Sequence, residues 1–362
     1  MLTFTKTILR PLSLSSGFFG LVAASLTSLC VTPAIAQQSV EQFYKGRTIT
    51  LTIPTSPGGI NDISGRLVSR HLGKFIPGQP NIIVQNVPGG GGLIAANKLY
   101  NTAEHDGTVI AIIQRGTPQL AIQGDPQAKF DPLKFTWLGS LSSYASDRYL
   151  LLVNAQNPVK SAEDLRKTAL RIKLGGDQPG STNLTFAVMA KLVLGLNIDI
   201  VRGYPGAAPM FLAMQNGELD GQVIGYNSVR AGQPHLWNDK LLRPLVQFGR
   251  ETRLPDLADT PTGQELLSDP ASKALLAFAE LPFQMALPFL APPGLPADRA
   301  NALQAAFVQM VRDPAFLEDA VKVNIEISAI DGSGVVDVIK KMAATPKEVI
   351  ARYNEIDSSV RQ

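Results

Sequence analysis

Short runs rich in β-branched and apolar residues recur along the chain, separated by longer stretches in which apolar positions return every three to four residues. The first pattern predicts strands at 48–53, 82–86, 108–113, 150–153, 171–174, 198–202, 221–224, 244–248 and 285–290. The second predicts amphipathic helices, because Ile63, Leu67, Val68 and Leu72 fall on one helical face, as do Leu184, Ala187, Val188 and Leu192. Strand and helix alternate, which predicts an α/β fold with largely parallel sheets. In such sheets ligands sit beyond the carboxyl ends of the strands.

Two stretches read as crossings between lobes. Residues 135–140 lead through a Ser-rich segment to Arg148, and 242–249 lead back from a loop containing Pro, His and Trp. The expected organisation is a first lobe over 37–145, a second over 146–244, and a return to the first over 245–362, with a ligand cleft between the two. The apolar run 275–290 is interrupted by Glu280, Pro282 and Pro288 and followed by Pro292-Pro293-Gly294, so it predicts a buried strand with turns rather than a membrane span. Leu303, Phe307, Met310 and Val311 repeat at helical spacing, and the C-terminal part is expected as helices packed on the first lobe.

The first residues have a different grammar. Lys6 and Arg10 precede an apolar stretch over 17–31, and Ala34-Ile35-Ala36 supplies a small-x-small cleavage site. Residues 1–36 are therefore expected to be a secretory signal peptide, and the mature chain to be periplasmic. The one cysteine, Cys30, lies inside that leader behind the bulky Leu29, which does not suit lipid attachment. A mature chain without a thiol has no disulfide, no cysteine-ligated metal and no thiol nucleophile.

Charge narrows the function further. Lys and Arg total 33 against 30 acids with no basic run, so the electrostatic footprint of a nucleic-acid binder is missing. Apolar residues make up 45% of the 362, enough for a large core.

Four turns carry the candidate chemistry. Ser56-Pro57-Gly58-Gly59-Ile60-Asn61-Asp62 links a strand to a helix, and Gly89, Gly90, Gly91 and Gly92 do the same further on. Glycines there free the approach of side chains, and the unpaired N–H groups of a helix start attract an anion. Gly180-Ser181-Thr182-Asn183 adds hydroxyls, and Tyr204-Pro205-Gly206-Ala207 places an aromatic at the mouth of a fourth turn. Glycine geometry alone accounts for any single one of these turns, and Ser181, Thr182 and Asp62 also read as helix caps. Arg115, directly after an apolar strand, presents a forked donor suited to both oxygens of a carboxylate.

Enzyme chemistry is poorly supplied. His71, His105 and His235 show no ligand spacing, no nucleophile elbow or phosphate loop is present, and acid pairs such as Glu163-Asp164 sit on helix surfaces. No catalytic residue, metal or cofactor is expected. One rival remains, since Gly90-x-Gly92-x-x-Ala95 after a strand formally matches a dinucleotide fingerprint, with Arg115 placed to suit a 2′-phosphate.

At these turns the chain resembles the substrate-binding proteins of tripartite tricarboxylate transporters, the Bug-type family. The fragments "FYKGRTITLTIPTSPGGINDISGRLVSRHL", "NVPGGGGLIAANKLYNTAEHDGTVIAII", "GGDQPGSTNLTFAVMAKLVLGLNIDIVRGYPGAAPMFLAMQNGELDG" and "PFLAPPGLPADRANALQAAF" follow in the family's order over nearly the whole mature chain. The resemblance implies a two-lobed, type II periplasmic-binding-protein fold. It also implies a carboxylated solute, held between the lobes partly through bridging waters and delivered to integral-membrane permease subunits. A membrane sensor is the alternative partner, and a monomer is the expected state. Carried over residue by residue, the resemblance implies contacts from Ser56, Pro57, Gly58, Gly59 and Asp62, from Gly89 to Gly92, from Gly180, Ser181 and Thr182, and from Tyr204, Gly206 and Ala207. Asn61, Arg115 and Asn183 join them from the residues alone. The chain departs from the family at Tyr204-Pro205-Gly206, where Tyr-Lys-Gly is usual. It also departs at Thr182-Asn183-Leu184-Thr185, where Ser-x-His-Leu is usual, and at Arg115, where many members carry a small hydroxyl residue.

Overall fold

A computed structural model describes residues 38–143, 148–167, 170–177, 181–204 and 206–361. The expected signal peptide and Cys30 lie outside the described residues, as does Gly180. Residues 39–362 form one compact unit built on two sheets.

Eleven strands are present among the described residues: β1 Thr48–Ile53, β2 Asn81–Asn86, β3 Val109–Ile112, β4 Thr136–Ser140, β5 Tyr149–Asn154, β6 Ile172–Gly175, β7 Ile198–Val201, β8 Gly221–Gly225, β9 Leu242–Phe248, β10 Pro288–Ala291 and β11 Ile330–Asp331. The first sheet has the order β11-β4-β10-β3-β1-β2, and the second β7-β6-β8-β5-β9. The chain thus leaves the first sheet after Ser140, runs through the whole second sheet, and returns to the first at Pro288.

Each sheet is mixed rather than largely parallel. β1, β2 and β3 run parallel, but β10 lies antiparallel to β3 and to β4, and β11 antiparallel to β4. In the second sheet β6, β7 and β8 are parallel while β5 is antiparallel to both β8 and β9. In the first sheet connectivity allows this: β4 and β10 are joined only through the whole second sheet, a connection that does not impose the direction that a strand-helix-strand crossover imposes. Within residues 135–140, expected as a crossing, Thr136–Ser140 is strand β4 with Trp137 buried on it, and the expected strand 285–290 is a 3-10 turn at Leu281–Met285 followed by β10.

Burial follows the sequence pattern closely where the pattern is local. Ile49, Leu51 and Ile53 of β1 are fully buried, and Leu67 and Val68 of the helix Ile60–His71 pack in the same cluster. Asp269, Asp313 and Asp331 each accept a backbone N–H at the start of the helices Pro270–Glu280, Pro314–Lys322 and Gly332–Ala343. The helix Lys347–Arg361 does not keep to the first sheet alone. Its Ile356 packs on Leu184 and Val188 of the helix Thr182–Leu192, while Asn354 Nδ2 donates to Gln123 O at 3.0 Å. The C-terminal helix therefore ties the two halves together.

Candidate functional site

Because β1, β2 and β3 are parallel, the turns that follow them emerge side by side at one edge of the first sheet. In the turn after β1, Gly58 takes φ +94°, open to glycine, and its N–H donates to Asp62 Oδ2 at 3.0 Å. The same oxygen accepts Arg66 Nε at 3.0 Å, and Oδ1 accepts Asn86 Nδ2 at 2.8 Å. Asn86 Nδ2 also reaches Thr55 O at 2.8 Å. The Arg66 hydrogen bond, assisted by Asn86 and the Gly58 N–H and opposed by burial, holds the Asp62 carboxyl down at about 2. Asp62 is thus a buried staple joining the first turn to the end of β2. The helix Ile60–His71 begins at Gly59 without a side-chain cap, leaving its first N–H groups to whatever approaches.

The second turn is a run of four glycines with φ of +130°, +55°, +62° and +91°, a sequence of angles closed to ordinary L-residues. A Cβ on Gly92 would stand 3.3 Å from Thr117 Oγ1 and 3.5 Å from both Gln114 Cγ and Pro54 Cβ. All three turns therefore meet at that point.

The third turn carries Arg115. Its guanidinium lies 4.5 Å from the Phe283 ring centre and 5.3 Å from that of Tyr149, and Nη2 donates to the Tyr149 hydroxyl at 3.3 Å. Loss of hydration pulls its pKa below the ordinary guanidinium value, against the pull of the tyrosine. Tyr149 starts β5, so this contact spans the two sheets.

On the second sheet, the carboxyl ends of β6, β7 and β8 lie at one edge together with the start of β5. Ser181 is spent on capping: its Oγ accepts Leu184 N at 3.4 Å and donates to Asn183 Oδ1 at 2.7 Å. Gly206 opens the helix Ala207–Gln215 at φ +130°, and Tyr204 packs on the cluster around Leu150 and Met210.

A cavity of about 320 Å³ lies where these edges meet. Of the predicted residues that are described, Asn61, Arg115 and Thr182 line it; Ser56, Pro57, Gly58, Gly59, Asp62, Gly89 to Gly92, Ser181, Asn183, Tyr204, Gly206 and Ala207 stand off its wall. The wall also contains Tyr149, Asn227, Phe283, Glu326 and Tyr353, none of which the sequence marks as a site residue, and Phe186 from the helix after the third glycine turn. The one partial signal was the broken apolar run around Pro282. Arg115 and Glu326 are the two charged residues on the wall among those described.

Among the described residues, no cluster of three His, Cys, Asp or Glu side chains is placed to hold a metal. His71 is buried away from the cavity, with Nε2 2.9 Å from Asp319 Oδ2 and its ring edge-on to Phe316.

Residues 66–354 match the family model described as the tripartite tricarboxylate transporter family receptor. The chain belongs to that family. The matched span contains Arg115, Thr182 and Glu326, while Asn61 precedes it. Among curated relatives of this receptor, the UPF0065 protein in the gbd 5′ region of Cupriavidus necator is 27% identical over 311 residues, covering 84% of this chain and 86% of that one. Among solved structures, a TctC solute-binding protein from Polaromonas, without ligand, superimposes with a TM-score of 0.66 at 21% identity, covering 87% of this chain and 99% of that one. MatC from Rhodopseudomonas palustris, solved with bound malate, gives a TM-score of 0.57 at 20% identity, with coverage of 86% and 99%. The receptor therefore has the two-lobed α/β fold of periplasmic solute-binding proteins.

Proposed function

We propose that this receptor is exported, captures a small carboxylate in the cavity between its sheets, and presents it to integral-membrane permease subunits without a catalytic step. The observation that carries the reading is Arg115, a guanidinium set between two aromatic rings on the cavity wall, opposite the hydroxyl-bearing start of the helix Thr182–Leu192. Asn61, at the uncapped start of the helix Ile60–His71, shares that wall. Malate in the related MatC is a carboxylate of the expected size class. Micromolar capture needs about 8 kcal/mol net, and charge-assisted hydrogen bonds contribute about 1.5–3 kcal/mol each, so groups from both sheets must close on one solute. The two crossings after Ser140 and after Phe248 are where such a hinge would bend.

The dinucleotide rival gains nothing from the topology. A dinucleotide fingerprint follows a strand at the switch point inside a parallel sheet, whereas the glycines here follow β2, which is the edge strand of its sheet.

A thermal-shift screen of mono-, di- and tricarboxylates tests the reading. A solute present at 100 times its Kd stabilises the folded protein by about 2.7 kcal/mol, and silence across the panel rejects a carboxylate receptor. The two glycines of the first turn are expected to differ in their tolerance of a side chain. Gly58→Ala forces φ +94° on an L-residue and is expected to cost about 1–2 kcal/mol in urea melts. Gly59 has φ −83° and open space around it, so Gly59→Ala is expected to stay within about 0.5 kcal/mol in stability. Asn61, the site residue of this turn that does line the cavity, is the one whose truncation should weaken solute binding: Asn61→Ala is expected to cost about tenfold in affinity, through loss of one charge-assisted contact. Unchanged affinity in that variant places the solute away from the first turn.

A further inference from the structure

Glu326 is the acidic side chain on the cavity wall, and it sits there by construction. Ser142 Oγ donates to its backbone carbonyl at 2.9 Å, anchoring the segment ahead of β11. From that anchor its carboxylate crosses to residues beside the second sheet. Asn227 Nδ2 donates to Oε2 at 3.3 Å, and Arg148 Nη1 stands 3.9 Å from the same oxygen. The Arg148 guanidinium also lies 4.4 Å over the Tyr226 ring. The contacts of the carboxylate run to Oε2, and Oε1 accepts no hydrogen bond among the described residues. Half of the Glu326 side chain remains exposed.

Topology separates this anion from Arg115. β11, β4, β10 and β3 are consecutive in the first sheet, so three strand spacings, roughly 14 Å, lie between the strand that follows Glu326 and the strand that precedes Arg115. Strand directions bring both to the same edge: β3 ends there, and β11, antiparallel to β4, starts there. The wall between them offers neutral amides and hydroxyls, with Asn324, Ser142 and Gln119 among them.

We infer that the solute is an elongated zwitterion, with its carboxylate on Arg115 and a protonated amine on Glu326, rather than a dicarboxylate. The inference rests on the proposal that the cavity takes a carboxylate, and it adds the chemistry of the other end. An α,ω-diacid brings a second negative charge to a carboxylate that has a spare acceptor and no donor to give, whereas an ammonium supplies three donors and the opposite charge. Like charges placed together disfavour binding and opposite charges favour it most where water is scarce, as between two closing lobes.

Calorimetric titration of the purified receptor with chain-matched pairs tests this: ω-amino acids of four to eight carbons, the α,ω-diacids of equal length, and the corresponding monocarboxylates. The expected result is that the best ω-amino acid binds at least tenfold tighter than its matched diacid. Glu326→Gln should lower that ratio at least tenfold, while Glu326→Asp, which keeps the charge, should keep the preference. A diacid that binds tighter to the native protein, or a ratio that Glu326→Gln leaves unchanged, overturns the zwitterion and leaves the carboxylate receptor standing. Monocarboxylates that bind as well as ω-amino acids also overturn it. Silence from all three series rejects both.

Discussion

Replacing Arg115 with alanine is expected to weaken binding of the cognate carboxylate at least about 100-fold, because two charge-assisted hydrogen bonds of about 1.5–3 kcal/mol each disappear from a site partly shielded from water. The fold should survive. Arg115 packs between Phe283 and Tyr149, and cation–π contacts of this kind contribute about 0.5–2 kcal/mol, well below the stability of a domain of this size. Arg115→Lys should recover only part of the affinity, since an ammonium cannot span both oxygens as the planar fork does. Titration calorimetry paired with urea unfolding separates the two effects. An affinity within threefold of the native protein would remove Arg115 from the site, and with it the observation on which the carboxylate reading chiefly depends.

The second large effect concerns stability. Glu280 ends the helix Pro270–Glu280 in a buried position, where its Oε1 accepts the Gly249 N–H at 2.9 Å and its Oε2 accepts Gln264 Nε2 at 3.1 Å. Gly249 is the first residue after β9, so the carboxyl group joins the return crossing to a helix whose neighbour Phe283 lines the cavity. Desolvation pushes its pKa up to about 7, opposed by the two hydrogen bonds and reinforced by Glu251. In the unfolded chain the group titrates near 4.5. Between those values the folded state holds a proton that the unfolded state has released, so stability falls as pH rises from about 4.5 to about 7 and levels off above, by roughly 3 kcal/mol. Glu280→Gln keeps the shape and an acceptor for Gly249 without the charge. The variant should therefore be more stable than the native protein at pH 8, and this advantage should vanish below pH 4.5. Equal native-minus-variant differences in urea unfolding at pH 4.5 and pH 8 would show that the buried carboxyl carries no such linkage.

Function and fold were legible to different depths. The alternation of short β-branched runs with amphipathic stretches located nine of the strands, because burial on a sheet face or along a helix stripe is a local property that composition must satisfy residue by residue. The glycine turns were equally clear, since only glycine tolerates four successive positive φ angles. Arg115 was visible because it follows an apolar strand directly.

What escaped was everything that depends on residues far apart in the chain. β4 and β11 were missed because one was short of pattern and the other is two residues long, and both exist through pairing with partners found only when the chain has crossed back. Asp62 was placed among the ligand contacts, yet Arg66 and Asn86 bind both its oxygens, and Asn86 comes from another strand. Phe283 and Glu326 stand 168 and 211 positions beyond Arg115 in sequence and share its cavity wall. The sequence by itself determined nine of the strands, the amphipathic character of the helices and the side-chain-free turns, and that one of those turns bears a cation. Only the tertiary structure decided which turns face the cavity, which are spent on holding one another, and what stands opposite the cation, because those outcomes follow from strand order and closure of the chain on itself rather than from the preference of any local stretch.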